Sequence, residues 1–127
     1  APFRPYAFSL AEEDAAAVLG WDTVPETGRW MQTVATVSED ARPSVSAAIH
    51  RDGTTRPQVV SAGEAPRYHA LLRRMGAATG RSALLNTSFN TRGTPIVSTP
   101  AEALLVFTRT DLDTLVLGDT VVRKVPA

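Results

Sequence analysis

The stretch that decides the fold is Gln58-Val59-Val60, then Ala65-Pro66-Arg67-Tyr68-His69-Ala70-Leu71-Leu72-Arg73-Arg74-Met75-Gly76-Ala77-Ala78-Thr79-Gly80, then Ser82-Ala83-Leu84-Leu85-Asn86. Val59 and Val60 are β-branched and suit a strand. Tyr68, Leu71, Leu72, Met75 and Ala78 recur at helical spacing and Gly80 supplies a stop, so the spacing predicts a helix over 65–79. His69 on that helix reads as a surface residue. Ser82 to Asn86 is a short apolar run, expected as a strand with Leu84 and Leu85 buried. Strand, helix and strand in succession predict an α/β or α+β sheet with helices layered on it.

Working outward, residues 1–10 carry two prolines and read as extended. Residues 10–20 read as a helix, with Glu12, Glu13 and Asp14 in the first turn and Gly20 at the stop. Residues 21–29 are expected as loop, 33–37 and 45–49 as strands, and 39–42 as a turn. Asp52-Gly53 marks a tight turn. Downstream, 87–95 is a polar loop and Ile96-Val97 is extended. Thr99 as N-cap, Pro100 at the first position and Glu102 at the third predict a helix over 100–109, with Leu104, Leu105 and Phe107 inward. Strands at 114–117 and 120–124 close around Gly118-Asp119.

A chain of 127 residues and 13.6 kDa is one domain's worth. Hydrophobic residues at 43% and charged residues at 20% argue against general disorder. The absence of cysteine excludes a disulfide framework, an iron–sulfur cluster, a Cys-ligated zinc and a thiol nucleophile. With only His50 and His69, a His-rich metal site is not expected. Thirteen basic residues balance thirteen acidic ones, which argues against a nucleic-acid partner. No run approaches the roughly 18 apolar residues of a membrane span, and the start lacks the apolar region of a signal peptide, so the cytoplasm is the default compartment. Twelve of the basic residues are Arg and one is Lys124. High-GC coding would explain most of that skew. Bidentate capture of phosphate or carboxylate is the reading reserved for one or two positions.

Three segments could carry chemistry. Asn86-Thr87-Ser88-Phe89-Asn90-Thr91-Arg92-Gly93-Thr94-Pro95 follows a short strand. Its amides, hydroxyls and backbone N–H groups could surround an anion. On composition alone the leading reading is a surface loop held by Asx and Ser/Thr turns. No Walker-type pattern is present. The second segment is His50-Arg51-Asp52-Gly53-Thr54-Thr55-Arg56-Pro57-Gln58. A period of two places Thr54 and Arg56 on one strand face, where Arg56 could fork onto a phosphate or simply be solvated. His50 could be a general base, but no paired carboxylate at useful spacing supports that role. The third segment holds Asp111 and Asp113, read as solvating a turn rather than holding a metal. Trp21 and Trp30 read as core or interface.

Together these segments resemble the C-terminal region of the NodU/CmcH-type O-carbamoyltransferases, which include antibiotic-tailoring enzymes. The resemblance rests on Arg4-Pro5-Tyr6-Ala7-Phe8-Ser9, Asp52-Gly53-Thr54-Thr55-Arg56-Pro57-Gln58, Leu84 to Val97, and Thr110 to Gly118, and it runs from residue 3 to about residue 124. The Asn-Thr-Ser-Phe-Asn loop and the Asp-Gly-Thr-x-Arg-Pro-Gln strand are specific together.

The resemblance implies a YrdC-like α/β domain, a twisted mixed sheet with helices packed on it. It implies ATP and carbamoyl phosphate as substrates and carbamoyl-adenylate as product. A partner domain of the actin/hexokinase-like superfamily, N-terminal in the same or another chain, would hold the metal site and pass the carbamoyl group to an acceptor hydroxyl. By the same resemblance Asn86, Ser88 and Asn90 are polar contacts with Thr87 in support. Arg56 is the phosphate fork with Thr54 beside it, and Arg4 is a weaker third cation. The family pattern also has a Gly-Pro-Arg-Ala-Leu stretch and a Lys-x-Arg segment upstream of residue 1. The expectation is therefore an N-terminally truncated domain that is a fragment, processed piece or separate subunit, poorly active alone. The alternative is a non-catalytic subunit that completes a partner's site. Phe8, Arg51 and Thr94 depart from the family's usual residues.

Overall fold

A computed structural model describes residues 6–125, and its contacts divide into two compact units at Thr87–Ser88. The architecture is mixed α/β, as expected.

The first unit is built on a three-stranded sheet of order β4-β1-β5, with β1 (Ala7–Ala11) in the middle. Strand β4 (Pro57–Val60) runs parallel to it and β5 (Ala83–Asn86) antiparallel. A 3-10 turn (Glu12–Asp14) and α1 (Ala15–Leu19) follow β1. The helix expected from residue 10 therefore starts later. Leu10 and Ala11 are completely buried on the central strand, where ladder pairing and burial outweigh their helix propensity. The strand expected over 33–37 is reduced to β2 (Ala35–Thr36), paired with β3 (Thr54–Thr55). The strand expected over 45–49 does not form. Two 3-10 stretches joined at a kink at Val45 span Glu39–Ala48, with Pro43 inside them and Ala41, Val45 and Ala48 turned into the core. Spacing of three residues, not two, buries that run.

Helix α2 (Pro66–Thr79) forms as the spacing predicts, and Gly80 closes it in the left-handed conformation at φ 83°. Leu72 is its fully buried anchor, packed with Ala11 and Val60, while Leu71 is half exposed. The opposite sheet face carries the larger core, including Phe8, Leu10, Val18, Val37 and Val59. His69 is more covered than a free surface residue. Its Nε2 lies 2.9 Å from Glu13 Oε2, and that hydrogen bond leads the causes that lower the Glu13 carboxyl below its usual range.

The second unit holds α3 (Pro100–Arg109) and the hairpin of β6 (Thr114–Leu117) and β7 (Thr120–Arg123). The capping box forms as read: Thr99 accepts from the Glu102 N–H, and the Glu102 carboxylate accepts from the Thr99 N–H. Phe107 and Ala103 are buried against Leu115. Leu104 and Leu105 are not inward as expected, being 42% and 47% exposed. A single helix on a two-stranded hairpin covers only one narrow stripe.

Candidate functional site

The polar face of the first unit follows from strand alternation. From Thr54 to Val59, Thr55, Pro57 and Val59 are buried and Thr54, Arg56 and Gln58 are partly exposed. The register sets Gln58 beside Ser9 and Pro57 beside Phe8, which brings Arg56 alongside Ala7. On the other side of β1, Asn86 pairs with Ala7. Arg56 and Asn86 thus flank the same residue of the central strand from its two sides. Ser9, Gln58 and Asn86 continue the face whose far end, at Ala11, Val60 and Leu84, seats α2.

These side chains are knotted together. Gln58 Oε1 accepts from Ser9 Oγ at 2.7 Å and from Asn86 Nδ2 at 2.7 Å, and Asn86 Nδ2 also lies 3.2 Å from Ser9 Oγ. The knot satisfies Ser9, which is completely buried. It leaves the Gln58 amide hydrogens and Asn86 Oδ1 without a partner among the described residues. The Arg56 guanidinium has no hydrogen bond or ion pair among the described residues either. An unpaired, half-covered guanidinium on a face that also carries free amide groups is suited to an anion.

At the entry to the strand, Gly53 turns the chain at φ 83°, and a Cβ there would meet the Arg42 guanidinium at 2.7 Å. Asp52 Oδ1 accepts from the Thr54 N–H at 3.0 Å and from Thr54 Oγ1 at 2.7 Å, and those two bonds hold its carboxyl below the usual range. Thr54 Oγ1 is also 2.8 Å from His50 Nδ1. Sequence reading found no carboxylate for His50. The structure supplies Asp52 through Thr54, two residues away on a turn.

The remaining expected site residues fall elsewhere. Thr87 closes the first unit. Ser88 and Asn90 belong to the second, where Ser88 Oγ donates to Asn90 Oδ1 at 2.6 Å and Asn90 Nδ2 donates to the Thr94 carbonyl at 2.8 Å. Within that unit the loop is held by its own side chains, as an Asx-rich surface loop would be. Arg4 lies outside the described residues. Ser9 and Gln58 were missed as site residues, although Gln58 sits two positions from Arg56 and a period of two would have found it.

Two cavities accompany these features. One of about 160 Å³ lies on the other face of the first unit, against Phe8, Val45 and Leu85, and is small for a nucleotide. Leu85 borders it and is 51% exposed, not buried as expected. Strand β5 is an edge strand that α2 covers on one face only. The other cavity, about 440 Å³, lies in the second unit and is lined by Thr91, Thr94, Ile96, Val97, Leu105 and Arg109 among others. Among the described residues no group of three or more His, Cys, Asp or Glu is placed to hold a metal ion, and no helix is long and apolar enough to cross a membrane.

The sequence matches the family described as the carbamoyltransferase C-terminus over residues 1–124. It is 38% identical to the nodulation protein NolO of Bradyrhizobium diazoefficiens over 98% of this chain and 23% of that protein. It is 38% identical to the nodulation protein NolNO of Sinorhizobium fredii over 96% of this chain and 18% of that protein. An uncharacterized protein of Synechocystis is 35% identical over 96% of this chain and 23% of its own length. The chain therefore spans about a fifth of the length of these relatives. With the family matched across nearly all of its residues, the chain belongs to the carbamoyltransferase C-terminal family.

Proposed function

We propose that residues 1–127 act as the C-terminal, YrdC-like part of an ATP-dependent carbamoyltransferase. Carbamoyl phosphate and ATP would yield carbamoyl-adenylate for transfer to an acceptor hydroxyl, as in natural-product tailoring. The observation that carries this reading is the juxtaposition of unpaired Arg56 with Asn86 across Ala7 on one sheet face. Arg56 forks onto the phosphate of carbamoyl phosphate. The free Gln58 amide hydrogens and Asn86 Oδ1 offer a donor–acceptor pair to the nucleotide, with Thr87 as a further polar contact.

For atoms to balance, water takes the phosphoryl group of carbamoyl phosphate as inorganic phosphate. The freed carbamate oxygen then displaces pyrophosphate from the α-phosphorus of ATP. Both steps build negative charge on phosphate oxygens, so positioning and fixed cationic donors are what the protein supplies. No protein nucleophile is required, in keeping with a chain that has no cysteine. The acceptor domain, actin/hexokinase-like and metal-bearing, lies N-terminal in the same or another chain.

Arg56→Ala tests the reading. A charge-assisted hydrogen bond is worth about 1.5–3 kcal/mol, so titration of the chain with carbamoyl phosphate should show affinity falling roughly tenfold to hundredfold. The thermal midpoint should hold, because Arg56 has no partner to lose among the described residues. Unchanged affinity removes Arg56, and with it this site.

A second reading is a non-catalytic subunit that completes a partner's active site. It is favoured by the exposed apolar side chains of the second unit, with Ile96 at 66% and Val116 at 62%. Supplying the acceptor domain as a separate chain and measuring co-elution tests it. Independent elution discards it.

A further inference from the structure

The hydroxyl of Thr54 has one hydrogen and two neighbours that could take it. Asp52 Oδ1 is 2.7 Å away, and as a carboxylate it can only accept. The Thr54 hydrogen therefore goes to Asp52. His50 Nδ1, 2.8 Å from the same oxygen, must then be the donor. A neutral imidazole carries one hydrogen, so His50 Nε2 keeps its lone pair. The backbone locks the arrangement: the His50 N–H donates to the Thr54 carbonyl at 2.7 Å, and the Gly53 N–H donates to the His50 carbonyl at 3.0 Å. No partner for Nε2 is found among the described residues. The charged groups of this turn are Asp52, Arg51, and Arg42, whose guanidinium lies against Gly53.

Thr54, on β3, and Arg56, just before β4, are both partly exposed and stand two residues apart, or about 7 Å along an extended chain. A phosphorus-to-nitrogen span of about 4 Å in carbamoyl phosphate, plus a hydrogen bond of about 3 Å to an acceptor, matches that spacing. We infer that His50 Nε2 accepts a hydrogen bond from the carbamoyl NH₂ group, so that the Asp52–Thr54–His50 chain selects a carbamoyl over a methyl-bearing acyl phosphate. Asp52 and Thr54 are positioning residues that fix the tautomer, and His50 contacts substrate. The inference rests on the carbamoyl phosphate reading of the Arg56 site and adds what distinguishes that substrate from its analogues.

The test uses the full chain, with carbamoyl phosphate and acetyl phosphate as paired probes and ¹⁵N resonances of the imidazole as a readout of the tautomer. At about pH 8, where an ordinary imidazole is neutral, His50 should show a protonated Nδ1 and a bare Nε2. Thr54→Val, which keeps the shape and removes the hydroxyl, should move the proton toward Nε2. Carbamoyl phosphate should shift the Nε2 resonance and acetyl phosphate should not. Binding should favour carbamoyl over acetyl phosphate by about tenfold, the scale of one hydrogen bond. That ratio should collapse toward one in His50→Ala and in Thr54→Val. A proton found on Nε2 in the unaltered chain overturns the inference. So does tight binding of carbamoyl phosphate with Nε2 unmoved or no preference over acetyl phosphate, and in that case the Arg56 site stands. If neither acyl phosphate binds, the site reading and the inference fall together.

Discussion

The two units bury their apolar residues on very different scales. The first encloses a cluster of eleven buried residues on one sheet face, and Ala11, Val60 and Leu72 on the other. The second has Ala103, Phe107 and Leu115. A central strand lets the first unit bury side chains above and below one backbone, whereas a helix on a two-stranded hairpin can cover only one side. The free, half-covered polar face with Arg56 and Asn86 lies on the well-supported unit. A rigid scaffold is what holding a small anion in fixed geometry requires.

The largest expected effect tests that contrast. Phe8→Ala empties a fully buried site on the central strand and should cost about 3–5 kcal/mol, read as a fall in the urea midpoint. Phe107→Ala removes the main apolar anchor of the second unit. Amide exchange across 100–123 should then lose its protection while β1, β4 and β5 retain theirs. Equal loss in both regions would show one cooperative core instead of two unequal ones.

A smaller effect is expected at Gly76. By propensity, Gly to Ala within a helix stabilises by up to about 1 kcal/mol. Here a Cβ would collide with Ser82 Oγ and come within 3.1 Å of the Ser82 Cα, where α2 presses on the approach to β5. Backbone cannot yield as a side-chain tip can. Gly76→Ala should therefore destabilise by about 1–3 kcal/mol, and a raised thermal midpoint would show that α2 does not press on Ser82.

The smallest concerns the capping box. Thr99→Ala should cost about 1 kcal/mol. The Glu102 carboxyl accepts from the Ser98 N–H at 2.9 Å, the Ser98 hydroxyl and the Thr99 N–H, and these bonds hold its pKa below the ordinary 4.5. A carboxyl lowered on folding contributes stability that is fully present above its unfolded value and is lost as the pH falls through the folded one. Protection of α3 should therefore weaken below about pH 4.5, and Glu102→Gln should remove that dependence.

Elements stated by local chemistry were legible. Helix α3 was readable to its ends because Thr99, Pro100 and Glu102 act within one turn, and α2 because its spacing and Gly80 agree. Burial was less legible. Leu71, Leu85, Leu104 and Leu105 are as apolar as Leu72, yet only a neighbouring layer decides which of them is covered. The run 45–49 failed for a related reason: Val45 and Ala48 reach the core with the spacing of a 3-10 turn, which a short apolar run does not distinguish from a strand.

The sequence by itself determined the mixed α/β class, the capped helices, the family, and Arg56 and Asn86 as the residues to watch. Each of these depends on chemistry carried by a few neighbouring residues. Only the tertiary structure decided that Ala7 stands between Arg56 and Asn86, that Gln58 joins Ser9 to Asn86, and that Asp52 reaches His50 through Thr54. Strand order, register and hydroxyl direction are set by packing between segments distant along the chain, and no local pattern encodes them.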